Sequence, residues 1–111
     1  MDKLRNGVHH GAHSAYLLTY HMVFISKRRR KILTPEMKKY LEDAARRLLD
    51  EMGDELIELN TDQDHLHILV SLKPDQAPAT VANVLKTQFS KSLLKEFAAE
   101  LPQWMLAKRV I

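Results

Sequence analysis

The sequence contains no cysteine. That excludes a disulfide framework and a thiolate zinc site, so any metal must be held by histidine, carboxylate or amide oxygen. There is also no run of about 18 or more apolar residues, so no membrane span is expected. Met1–Ser14 lacks the apolar stretch of a secretory signal. The compartment these absences suggest is the cytoplasm. Internal repeats and low-complexity tracts are missing too. What remains is an ordinary globular composition of 111 residues, 45% hydrophobic and 28% charged. A chain of this length builds one core, and a single domain is expected.

The net charge is only +3, but its distribution is uneven. Lys27, Arg28, Arg29, Arg30 and Lys31 form an unbroken cationic run, and Lys86, Lys91 and Lys95 recur on a later segment. Such clusters suit phosphate contacts. A solvated loop and helix face give the same pattern.

Residues 1–14, with Gly7, Gly11, His9, His10 and His13, read as a flexible arm, and residues 15–111 as the domain. Ala15–Ser26 is rich in tyrosine and branched apolar residues, which predicts a central strand. Tyr20, Met22 and Phe24 line one face and Val23 and Ile25 the other, with His21 among the latter. Both faces being largely apolar, the strand is expected to be buried on both sides. Thr34-Pro35-Glu36 supplies a cap, a tolerated proline and a favourable acid for a helix start. Met37, Tyr40, Leu41, Ala44, Ala45, Leu48 and Leu49 then recur at helical spacing until Gly53. Glu55–Asn60 reads as an edge-like strand, Thr61–Asp64 as a turn and His65–Leu72 as a strand, together an antiparallel hairpin. Thr80 opens a second helix with the stripe Val81, Val84, Leu85, Phe89, Leu93 and Phe97, ended by Pro102. Met105–Ile111 is expected to begin a last strand. This order is the split βαβ, ferredoxin-like pattern: an α+β fold with two helices on one face of an antiparallel sheet and the last strand truncated or missing. The other face is left open, a platform on which nucleic acid can lie.

The segment that carries chemistry is Asp62-Gln63-Asp64-His65-Leu66-His67-Ile68-Leu69-Val70. Strand side chains alternate. His65 and His67 therefore share one face, while Leu66, Ile68 and Val70 face the helices. Two imidazoles at this spacing can each offer one nitrogen to a divalent cation. Asp62, three residues before His65, is a candidate third ligand, and Asp64 a turn residue or a partner to a ligand. Two exposed polar residues give the same spacing.

His65-Leu66-His67 also matches the His-hydrophobic-His motif of the HUH endonucleases. Asp64–Val70 resembles the signature of the single-tyrosine transposases of the insertion sequence 200/605 family. Tyr20-His21-Met22-Val23-Phe24, followed by Lys27-Arg28-Arg29-Arg30, is similar to that family's first strand and basic loop, and the helix around Leu85-Lys86 also corresponds. The resemblance covers Tyr16 to Phe97. It implies a homodimer that recognises hairpins in single-stranded DNA, with His65 and His67 on a magnesium or manganese ion, and Asp62 added as a candidate. It implies cutting and rejoining through a phosphotyrosine intermediate. Lys27, Arg28, Arg29, Arg30, Lys31, Lys86 and Lys91 would contact DNA.

In that family the nucleophilic tyrosine lies on a helix after the last strand. The tyrosines here are Tyr16, Tyr20 and Tyr40, and none falls at that position. No catalytic nucleophile is therefore assigned, and the chain as given is expected not to nick alone. A non-catalytic nucleic-acid-binding or regulatory module derived from such a transposase is the alternative. Trp104, the only tryptophan, suits base stacking or packing at the end of the long helix.

Overall fold

The first helix forms where its caps predict. The computed structural model describes residues 8–10, 15–106 and 109–111. Within it, α1 spans Pro35–Glu51, and the Thr34 side-chain oxygen accepts a hydrogen bond from the Met37 N–H at 3.2 Å. The helix buries Met37, Leu41, Ala44, Ala45 and Leu49. It stops at Gly53, whose φ of 80° suits glycine. There the Asp54 N–H bonds to the Leu49 carbonyl at 2.8 Å and the Gly53 N–H to Asp50 at 3.0 Å, a Schellman ending.

The chain before α1 holds β1 (Val8–His10), β2 (Ala15–Leu17) and β3 (Thr19–Ile25). The single strand predicted over Ala15–Ser26 is thus divided at Leu18, and β2 pairs with β1 in a separate two-stranded sheet. The rest of the predicted arm, residues 1–7 and 11–14, lies outside the described residues. After α1 come β4 (Glu55–Thr61), β5 (His65–Ser71), α2 (Pro78–Glu96) and the short α3 (Gln103–Leu106). The main sheet is antiparallel throughout, in the order β3-β5-β4. A register shift between Leu56 and Glu58 interrupts the β4–β5 ladder.

Both long helices cover one face of this sheet, α1 against β4 and α2 against β3. This is the ferredoxin-like α+β arrangement that the element order predicts. The core between the layers contains Met37, Leu41, Leu66, Ile68, Val70, Leu85, Phe89 and Leu93, all essentially inaccessible. Phe24 meets Phe89 edge-on, with centroids 5.5 Å apart. Losing a buried side chain of this size typically costs about 2–5 kcal/mol.

Four expectations are corrected. β3 lies at the edge of the described sheet rather than at its centre, which β5 occupies, and it is buried on one side only: Met22 and Phe24 face the helices, whereas Val23 is 50% and Ile25 41% exposed. The helices reach one face of the sheet, and no described element covers the other. The second helix begins at Pro78 rather than Thr80, because proline is well suited to the first helical position. Val84, predicted on its buried stripe, is exposed. Met105–Ile111 does not begin a strand in the described residues. Met105 and Leu106 are helical, and the buried Val110 and Ile111 are tied in by the Lys27 N–H to the Val110 carbonyl at 2.7 Å and by the Ser90 hydroxyl, which accepts from the Ile111 N–H at 3.1 Å and donates to the Ile111 carbonyl oxygen at 3.4 Å. Among the described residues, no helix is long and apolar enough to cross a membrane.

Candidate metal centre

β5 is the central strand, bonded on both sides, so its side-chain directions are firmly set. Leu66, Ile68 and Val70 go into the core, and His65 and His67 stand half-buried on the open face, as the alternation predicts. The β4–β5 turn, closed by an Asp62 N–H to His65 carbonyl bond of 2.9 Å, brings two carboxylates to His65. An oxygen of Asp64 lies 2.8 Å from Nδ1 of His65, and an oxygen of Asp62 lies 3.0 Å from its Nε2.

The hydrogen bond from His65 holds the Asp64 carboxyl below the ordinary aspartate range. Partial desolvation opposes this, and the charges of His65 and Arg29 add to it. Asp64 had been read as a turn residue or a partner to a ligand, and its contact with Nδ1 fits the second role. A carboxylate on Nδ1 fixes the ring with Nε2 turned toward Asp62, so that a cation could be shared between that nitrogen and the Asp62 carboxylate.

Asp62, His65 and His67 each offer a ligand atom, and these atoms lie within 4.8 Å of one another. Two imidazoles and one carboxylate suit a divalent transition ion or manganese, with positions left over for substrate oxygen. The donor set therefore fits a divalent cation.

A residue that the sequence reading did not assign stands beside this group. His21 extends from β3 on the same open face, with its Nε2 3.3 Å from Nδ1 of His67. The pairing of Val23 with His67 sets His21 diagonally across from it. The available signal was that His21 alternates with Val23 and Ile25, but reading that face as buried concealed it.

The basic run follows β3 as a turn over Lys27–Arg29 and does not drift away from the site. The Ser26 N–H bonds to the Asp64 carbonyl and the Leu33 N–H to the Gln63 carbonyl, both at 2.9 Å. The cationic loop is thus stitched at both ends to the turn that carries Asp62 and Asp64. Arg28 and Arg29 have left-handed backbones, with φ of 58° and 52°. Arg28 lies over Trp104, so the tryptophan packs against this loop as well as the core. Arg28, Arg29, Arg30 and Lys31 line one shallow groove.

Lys86 and Lys91 are not brought to the histidines. They belong to α2, where they share a cleft of about 330 Å³ with Arg109, and Lys86 also lines a hollow with Val23 and Ile25 of β3. Arg109 was not singled out from sequence. Tyr20 packs against the core and Tyr40 meets Phe97 edge-on. Tyr16 lies in β2, in register with His9.

Fold and site together define a class: a ferredoxin-like α+β domain with a His-x-His pair on the open face of its central strand and a carboxylate from the turn that leads into it. The family model of IS200-like transposases matches residues 14–108, and the chain belongs to that family. It is 34% identical over 71 residues to the ISDra2 transposase TnpA of Deinococcus radiodurans, an alignment covering 64% of this chain and 51% of that protein. It is 27% identical over 86 residues to the transposase for insertion sequence element IS200 of Salmonella typhimurium, covering 78% of this chain and 57% of that one. The chain spans about half the length of the curated relatives it matches. A 1.90 Å crystal structure of a Deinococcus radiodurans R1 protein, provisionally assigned as a transposase, aligns with a TM-score of 0.76 at 26% identity, covering 86% of this chain and 75% of that one.

Proposed function

We propose that residues 15–111 form a transposase-type domain that binds hairpin-bearing single-stranded DNA beside a divalent metal site. One observation carries this reading: the cationic loop Lys27–Lys31 is joined by backbone hydrogen bonds to the turn that supplies Asp62 and Asp64. Phosphate attraction and candidate metal ligands therefore belong to one rigid unit. His65, His67 and Asp62 would hold magnesium or manganese, which when bound polarises the scissile phosphate. Asp64 orients His65. Arg29, Arg30 and Lys31 hold the backbone on the solvent side, with Lys27 and Arg28 at the start of the same loop. Lys86 and Lys91, with Arg109, offer a second phosphate contact. The activity toward which this site is built is DNA cutting and rejoining through a phosphotyrosine.

Tyr20 packs against the core, Tyr40 meets Phe97 edge-on, and Tyr16 lies in β2. We assign none of them as nucleophile, and the reading for this stretch of chain is DNA and metal binding. The same observation favours the second reading, a non-catalytic binding or regulatory module of transposase descent. We also propose a homodimer, since β3 ends the described sheet with Val23 and Ile25 exposed beside its outer edge.

The test is binding of a labelled hairpin oligonucleotide with manganese present, across a salt series, followed by denaturing electrophoresis. The expected result is salt-sensitive binding without a covalent adduct. Salt-independent binding, or none, overturns the DNA reading. An adduct overturns the statement that no nucleophile is present. Sedimentation of the free protein tests the dimer, and a monomer at high concentration refutes it.

A further inference from the structure

We infer that His21 is a positioning residue for the candidate metal centre: its imidazole occupies Nδ1 of His67 and so directs Nε2 of His67 toward the cation. The inference rests on the reading of Asp62, His65 and His67 as a metal site.

The two histidines of β5 have different neighbours. His65 has a carboxylate at each nitrogen, Asp64 on Nδ1 and Asp62 on Nε2. Because Asp62 and not Asp64 belongs to the candidate ligand group, Nε2 is the nitrogen on the cation side. His67 meets no such pair in the contacts that define the site. Its Nδ1 faces another imidazole, the Nε2 of His21 at 3.3 Å, with the ring centroids 5.3 Å apart. The His65 and His67 rings meet edge-on at 4.5 Å, so both lie in one cluster.

A nitrogen–nitrogen contact of this length is a hydrogen bond in which one atom carries the proton and the other the lone pair. If His67 donates from Nδ1, its Nε2 carries a lone pair and can bind metal. If it accepts at Nδ1, the proton is on Nε2 and coordination there is blocked. Metal at Nε2 and a lone pair on His21 Nε2 therefore support each other. Ligating histidines usually give their second ring N–H to an oxygen acceptor, and here an imidazole nitrogen takes that part. His21 is fixed by the backbone ladder of β3 with β5 rather than by a loop, so little ordering is needed. Its Nε2, being engaged with Nδ1 of His67, is not available as a ligand in this arrangement.

The experiment is manganese titration of the full chain by electron paramagnetic resonance, with His21→Ala, His21→Gln and His67→Ala compared to wild type. A glutamine amide oxygen can replace the acceptor at the position of Nε2. His21→Ala should weaken manganese binding on the order of 10-fold or more, the usual effect of removing such a partner, and His21→Gln should recover most of it. His67→Ala should lose more than either. In parallel, long-range nitrogen–proton NMR of the metal-free protein should show His67 protonated on Nδ1 in wild type and a tautomer mixture in His21→Ala. His21 is exposed, so the fold should survive each change. Unchanged manganese affinity in His21→Ala, in a wild type that does bind, overturns this inference and leaves the metal site standing. Failure of His21→Gln to recover, with zinc-induced shifts on His21 equal to those on His65 and His67, makes His21 a direct ligand and also overturns it. A wild type that binds no manganese overturns the site reading itself.

Discussion

The guanidinium of Arg28 lies 4.3 Å above the ring of Trp104. Beneath that stack the backbone of Arg28 and Arg29 turns left-handed, at about 1–2 kcal/mol per residue for a side chain other than glycine. A cation–π contact offsets about 0.5–1 kcal/mol. The stack alone is too weak, so the bonds from Arg29 N–H to the Ser26 carbonyl at 2.8 Å and from the Ser26 hydroxyl to the Arg30 carbonyl at 2.6 Å must share in holding the turn. The loop that offers the most positive charge is thus a constrained turn, not a slack tether.

Arg29→Gly separates stability from binding. Glycine removes the left-handed penalty, so the urea midpoint should rise, by up to about 1 kcal/mol in stability. Hairpin affinity should fall, because a phosphate contact is gone. Trp104→Ala should do the reverse of the first effect, destabilising by about 1–3 kcal/mol for a half-buried aromatic that also carries the stack. A stability gain without any loss of DNA affinity in Arg29→Gly would remove this residue from the interface.

Charge removal is read best from the salt dependence. Arg30→Ala should lower the slope of log affinity against log salt by about 0.7 on single-stranded DNA. Lys91→Ala tests the separate cleft that it shares with Lys86 and Arg109. An unaltered slope there would confine the DNA path to the loop side.

Acid titration reports on Asp64. Its carboxyl is held below the ordinary range in the folded protein, chiefly by the hydrogen bond from His65. A depressed folded value gives stability that is present above the unfolded value, near 3.9, and is lost as pH falls through the folded value. The metal-free wild type should therefore lose stability below about pH 4 more steeply than Asp64→Asn. Urea midpoints between neutral pH and about pH 3 check this, and parallel curves for the two proteins would contradict it.

Ligand removal should be graded. His65→Ala and His67→Ala should each lower manganese affinity by more than the roughly 10–100-fold typical of an outer partner, and Asp64→Asn should fall within that range. Asp62→Ala should weaken binding more than Asp64→Asn if Asp62 coordinates. Calorimetric titration with manganese ranks the four, and the opposite order for the two aspartates would exchange their roles.

Much of this was legible because local chemistry decided it. Thr34, Pro35 and Gly53 bound α1 within the chain, and the alternation in His65–Val70 put both histidines on one face before any pairing was known. What was not legible depends on register or on backbone angles. His21 meets His67 through the offset between β3 and β5, which no single segment encodes. Arg28 and Arg29 turn left-handed without a glycine or asparagine to announce it. The apolar Val110 and Ile111 suggested a strand, yet they are buried through bonds to Lys27 and Ser90, an environment that apolar residues fill equally well. Burial on both faces of β3 failed because an apolar pattern records side-chain type and not the number of layers above the sheet.

β5 lies between β3 and β4 and is bonded to both. Its amides should be among the slowest in the molecule to exchange with solvent deuterium, opening only with the whole domain, while the sheet edges and the short α3 exchange earlier. A cation bound by His65 and His67 would then leave by dissociation from an intact sheet, and its residence time would be independent of opening at the sheet edges.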